Sequence, residues 1–166
     1  IPLSEQVSRG RALGRLGDGA WGDLVLQCKH EGTGYPDELI LAWPPMMKEW
    51  RPYPTPSWVT YVPGFGDRGA WMTSAAERLS QHLGIPCVSV LTKVRSTQPQ
   101  KLMANSQQQL ANIDGAYEIV GRLPAGPVLL ADDIVDSRWT ITLVGALLRR
   151  GGATDVWPTS LAASRG

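Results

Sequence analysis

The run Val128-Leu-Leu-Ala-Asp-Asp-Ile-Val-Asp-Ser-Arg-Trp-Thr140 decides how the rest of this chain is read. Its first four residues are apolar without alternation, which suits a strand covered on both faces in a parallel sheet. Beyond Thr140, Leu143, Val144, Leu147 and Leu148 recur at helical spacing on one face. Gly151-Gly152 then breaks the pattern, and Asp155 to Ala162 forms a second β-rich run. Strand, helix and strand with short connections make a right-handed crossover unit.

The same alternation extends upstream. Trp58-Val-Thr-Tyr-Val62 reads as a buried strand ended by Pro63-Gly64. Met72, Ala75, Ala76, Leu79 and Leu83 share a helical face that Gly84 closes. Val88 to Leu91 reads as the next strand, and Gly115 to Val120 as an edge strand. Alternating elements over 58–162 predict an α/β domain with a mostly parallel sheet flanked by helices. The polar stretch 95–112 is a long excursion between strands, of the kind that covers a site or stays disordered.

Nearer the start, residues 1–23 are rich in glycine and charge and show no period, which predicts a linker-like arm ahead of a domain at 24–166. Asp23-Leu-Val-Leu26 reads as the opening of a short strand. Asp37 reads as the cap of a helix that Pro44-Pro45 stops or kinks. Ile1 is not an initiator methionine, so the chain reads as a piece of a longer protein.

With 166 residues the chain makes one domain. A formal charge of +1 excludes a strongly basic nucleic-acid binder but permits a local patch. No apolar run approaches the roughly 18–20 residues of a membrane span. Cys28, Cys87, His30 and His82 are the only thiols and imidazoles. Buried thiols in a reducing cytoplasm fit them better than a structural zinc site.

Ligands of parallel sheets bind beyond the carboxyl ends of the strands, where Asp132 and Asp133 fall. The turn that follows leads into a helix N-terminus, whose free N–H groups favour an anion. Two acids beside an anion cradle could hold a sugar phosphate. The same residues also fit a plain strand end, with Asp136 or Ser137 capping the helix.

The combination Val128-Leu-Leu-Ala131, Asp132-Asp133-Ile134-Val135 and Asp136-Ser137-Arg138-Trp139-Thr140 resembles the phosphoribosyl-pyrophosphate motif of type I phosphoribosyltransferases. The resemblance implies that Asp132 and Asp133 face ribose hydroxyls and that 136–140 wraps the 5′-phosphate. It implies further that Pro63, Gly64 and Arg68 lie on a pyrophosphate loop, that 95–112 is the hood, and that magnesium accompanies phosphoribosyl pyrophosphate in an active member. Gln100-Lys101-Leu102-Met103-Ala104-Asn105-Ser106, Gln109, Asn112-Ile113-Asp114-Gly115 and the Asp-Asp turn are also similar to the C-terminal phosphoribosyltransferase-like segment of some bacterial RecQ-like DNA helicases. That resemblance implies an accessory domain in DNA repair whose partner is the helicase core of the same polypeptide, with single-stranded DNA or a repair protein as further partners. Helicase motifs themselves are absent from the sequence, so no ATP-driven unwinding is expected of it.

Transferases generally carry glycine where this chain has Arg138. A left-handed arginine there would cost about 1–2 kcal/mol. The departure, together with Asp136, implies a remodelled phosphate site, and hence a docking or binding module; the alternative is a working transferase acting on a nucleobase-like acceptor. Lys93, Arg95 and Lys101, with no acid between residues 93 and 113, form a candidate nucleic-acid strip or an ordinary solvated loop.

Overall fold

The structure is a computed structural model that describes residues 1–99 and 102–164. Its centre is a four-stranded, wholly parallel sheet in the order β1-β6-β5-β2. These strands are β1 (Arg11–Arg15), β2 (Trp58–Tyr61), β5 (Val128–Val135) and β6 (Val156–Ala163). A two-stranded antiparallel ribbon, β3 (Leu91–Lys93) with β4 (Tyr117–Ile119), stands apart from it. The helices are α1 (Trp21–Glu31), α2 (Asp37–Trp50), α3 (Gly66–Leu83), α4 (Ser106–Ile113) and α5 (Trp139–Arg150). No described helix is long and apolar enough to cross a membrane.

The sheet is covered on both sides, as the unbroken apolar start of β5 predicts. Leu129 and Ala131 pack on one face with Trp43, Leu39, Ile40 and Leu79 from α2 and α3. Val128 and Leu130 pack on the other with Trp58 and with Val144 and Leu148 from α5. The strand alternation therefore assigns successive residues to different cores. The indole N–H of Trp43 donates to the buried Thr159 hydroxyl at 2.9 Å, tying α2 to β6.

Four expectations are corrected. Residues 11–15, read as part of an arm, form the edge strand β1, whose register runs from Arg11 opposite Thr159 to Arg15 opposite Ala163. Edge pairing needs only the backbone, so a Gly- and Arg-rich stretch can supply it without any side-chain period. Residues 23–26 lie inside α1, where Val25 and Cys28 turn inward and Gly32 closes the helix in a left-handed conformation. Of the two outcomes expected at Pro44-Pro45, a stop or a kink, the stop does not occur: α2 runs to Trp50, and burial of Trp43, Pro44, Met46 and Met47 offsets the two missing N–H donors. The segment read as a strand at 88–91 joins the main sheet only through the Val59–Cys87 bridge, and the ladder resumes at 91–93 in the separate ribbon.

The junction of β1 with α1 is close enough to fix a residue type. A Cβ on the buried Gly22 would collide with the Arg15 carbonyl. Gly22→Ala is expected to destabilise the domain by about 1–3 kcal/mol, the usual cost of overpacking against backbone. Urea unfolding would measure the loss; an unchanged midpoint would mean that residues 11–22 are not integral to the fold.

Candidate functional site

A crevice follows from the strand order. The chain leaves β2 through α3 and returns at 85–88 on the outer side of β2, with α3 on one face. It leaves β5 through α5 and returns as β6 on the opposite side, with α5 on the other face. The connections diverge between β2 and β5, so their carboxyl ends frame the position where open α/β sheets bind ligands. Both α3 and α5 begin here without a side-chain cap, leaving backbone N–H groups available to an anion.

The loop after β2 is drawn tight by two glycines. A Cβ on Gly69 would sit 2.5 Å from the Gly64 carbonyl oxygen, so the first turn of α3 folds directly onto the loop. Pro63 and Gly64 thus lie at the crevice. Arg68 is exposed, and its guanidinium donates at 3.4 Å to the Lys29 carbonyl on α1.

After β5, Arg138 adopts φ 67° and ψ −13°, the left-handed geometry that glycine would take freely. Its side chain is exposed and lines, with Asp132, Asp136, Ser137 and Thr140, a small cavity of about 80 Å³. The guanidinium makes no hydrogen bond or ion pair among the described residues, so Arg138 borders the cavity rather than plugging it. Asp136 is exposed, while Trp139 is half-buried and packs on the core beneath α5.

The two acids are sent to different faces. Asp133 follows the Leu129–Ala131 face and accepts a hydrogen bond from Tyr35 Oη at 2.8 Å and an ion pair from Lys29 Nζ at 3.0 Å. Its other oxygen accepts the Ile134 N–H. Burial alone would raise its pKa, but Lys29 and Tyr35 outweigh that and hold the carboxyl below its ordinary value. Asp132 follows the Leu130 face, toward the ribbon, and accepts the N–H of Asp133 at 2.8 Å. No cation contacts it among the described residues. Burial, followed by the charge of Asp133, pushes its pKa well above the ordinary carboxylate value. The same surroundings raise the pKa of Tyr117, first by burial and then through Asp132.

The polar excursion holds a different arrangement from the predicted basic strip. Lys93 turns inward, its ammonium 5.5 Å from the Phe65 ring centre and 5.7 Å from that of Tyr117, and it donates to Thr97 Oγ1 at 3.0 Å. Burial lowers its pKa, and the charge of Asp132 works against that. Arg95 donates to the carbonyls of Asp114 and Ala111 at the end of α4. Lys93 is thus partly buried against the ribbon, while Arg95 is exposed and braces the end of α4; Lys101 lies outside the described residues. Lys29, Tyr35 and Tyr117 were not legible as site residues. They reach the crevice from separate elements and carry no shared spacing. The only available signal for Lys29 was the Glu31-Gly32 stop, which marks 21–31 as a helix.

No protein-family model matches the chain, and no curated protein matches it. Among solved structures, the chain is similar to a purine phosphoribosyltransferase from Pyrococcus horikoshii Ot3, at 22% identity and a TM-score of 0.47, over 76% of this chain and 72% of that one. The fold described above rests on the strand order and connections themselves.

The opposed environments of the acids give opposite pH dependences. Asp133 contributes stability above its unfolded value near 3.8, lost as pH falls through its lower folded pKa. Asp132 does the reverse, since stability declines as pH rises from about 3.8 toward its raised folded pKa. Asp132→Asn is therefore expected to raise the melting temperature at neutral pH by about 2–4 °C, the shift for ~1 kcal/mol in a domain of this size. Lys29→Met is expected to cost about 3 kcal/mol by stranding a largely buried carboxylate. Thermal melts from pH 3 to pH 8 would check both signs.

Proposed function

We propose that the chain is a phosphoribosyltransferase-like domain that binds a phosphorylated ribose in the β2/β5 crevice, and that it serves as a C-terminal accessory domain of a bacterial RecQ-like helicase. What carries the sugar-phosphate reading is Asp132, a partly buried acid with no cation in contact, beside an uncapped helix start and a left-handed turn. Ribose hydroxyls would donate to Asp132, and the N–H groups of Ser137 to Thr140 would receive the 5′-phosphate. Asp133 holds α1 against β5 rather than touching the sugar. Arg138, free at the rim, balances Asp136 and adds a cation toward the phosphate.

Magnesium has few protein ligands to use here. Asp133 is taken by Lys29 and Tyr35, and no group of three or more metal-binding side chains forms among the described residues. A magnesium ion would depend on Asp132 and on the phosphates of the bound molecule. The second reading, an active transferase, is supported by the same crevice and by Lys93, whose charge lies toward Asp132.

Calorimetry with phosphoribosyl pyrophosphate, magnesium and ribose 5-phosphate tests the site. Asp132→Ala is expected to weaken binding at least about tenfold, the loss of one charge-assisted hydrogen bond or more. Arg138→Gly is expected to relieve the left-handed strain, about 1–2 kcal/mol, while reducing phosphate affinity. Absence of heat from either sugar phosphate at millimolar concentration would overturn the sugar-phosphate reading. Release of pyrophosphate in the presence of nucleobases would decide for the transferase. Sedimentation with a RecQ-like helicase core supplied as a separate chain tests the accessory role, which fails if no complex forms.

A further inference from the structure

The geometry points to the open edge of β1 as a docking site for an extended acidic peptide, added as a fifth strand to the sheet. The edge is real: β1 pairs with β6 on one side only. Leu16 donates its N–H to Ala163, so the alternation of a parallel ladder turns Ala12 and Gly14 toward β6 and Arg11 and Leu13 outward. The Arg15 N–H is already taken by Asp18, which ends the available edge at that point.

A groove of about 1250 Å³ runs along this edge. That exceeds the roughly 300–1,000 Å³ of pockets shaped for small ligands, and it suits a stretch of chain. One wall carries Trp50 and Trp157, packed edge to face with ring centres 5.9 Å apart. The other carries Arg138 and Thr142 from the start of α5. A strand laid on β1 would thus be flanked on both faces of the sheet. Main-chain pairing supplies affinity in such strand addition, and the side-chain positions supply selectivity.

Charge selects the occupant. Of the acids near the edge, Glu5 pairs with Arg150 at 2.7 Å, Asp18 accepts the N–H groups of Arg15, Ala20 and Gly22, and Asp23 accepts those of Gly17 and Gly19, which leaves the exposed Asp136 at the far end of the groove. Arg9 and Arg15 have no carboxylate partner among the described residues, and Arg11 has only the exposed Glu49 at 3.4 Å. The groove lining thus carries Arg9, Arg11, Arg15 and Arg138 against Asp18 and Asp136, a positive excess beside two tryptophans that favours acidic segments. It also disfavours a second copy of this chain. Antiparallel pairing of two β1 strands about Leu13 would set Arg11 against Arg15.

The groove meets the β2/β5 crevice at Asp136 and Arg138, so its variants are taken from Arg9 and Arg15 alone, which do not line the crevice cavity, and it stands or falls separately from the sugar-phosphate reading. The probe is a short synthetic peptide alternating glutamate and valine, with a lysine-valine peptide as its counterpart, followed by fluorescence anisotropy and by amide shifts in ¹⁵N–¹H spectra of the whole chain. Binding of the acidic peptide alone is expected, with shifts at Arg11 and Leu13 and affinity about tenfold weaker in the double variant Arg9→Glu, Arg15→Glu. The milder pair Arg9→Gln, Arg15→Gln, whose dispersed spectrum would verify folding, should weaken it in the same direction. Equal binding of both peptides, no binding at millimolar peptide, unmoved Arg11 and Leu13 amides, or self-association through the edge that excludes the peptide would each overturn the proposal.

Discussion

The double burial of β5 is the constraint on which the site depends. A strand covered on both faces has no solvent side, so two consecutive acids at its end must enter two different environments. On one face, Lys29 and Tyr35 complete the coordination of Asp133 and fasten α1 to the sheet. On the other, Asp132 meets a crevice without a counter-ion and bears the cost of desolvation. The pair is one motif in sequence and two devices in space. One holds the fold together, and the other leaves an acceptor open to a ligand.

The turn after β5 shows a second local cost placed at the same crevice. Arginine in a left-handed conformation is strained where glycine would be relaxed, yet the turn keeps that geometry because α5 must start directly beneath it. The helix start there has no side-chain cap, and the guanidinium is unengaged among the described residues. Both features belong to the rim of the crevice, not to the core, so the packing of Val144 and Leu148 is indifferent to them.

The fold was legible wherever burial dictated composition. The apolar start of β5, the helical face from Met72 to Leu83 and the glycine stops at Gly84 and Gly151-Gly152 follow from the need to cover both sides of a sheet. The left-handed conformation of Arg138 is the one expected where the resembled motif generally carries glycine. Where backbone pairing or tertiary contact dominates, sequence carried little. β1 is an edge strand made by main-chain bonds, and α2 persists through two prolines because its face is buried. The separate fates of Asp132 and Asp133 needed the positions of α1 and of the ribbon, which no local spacing encodes. Lys93 likewise looked like one of three surface cations until β3 turned it inward over Phe65 and Tyr117.

That inward lysine has a mechanical meaning. It is mounted on the two-stranded ribbon, while Asp132 and Phe65 belong to the sheet and the loop after it. The positive potential over the acid is thus carried by a ribbon that is packed on the α5-side core with Val128 and Leu130, not by the sheet itself. Any swing of the ribbon away from the sheet would carry the ammonium with it and turn the mouth more negative, so the electrostatic character of the entrance is tied to its aperture.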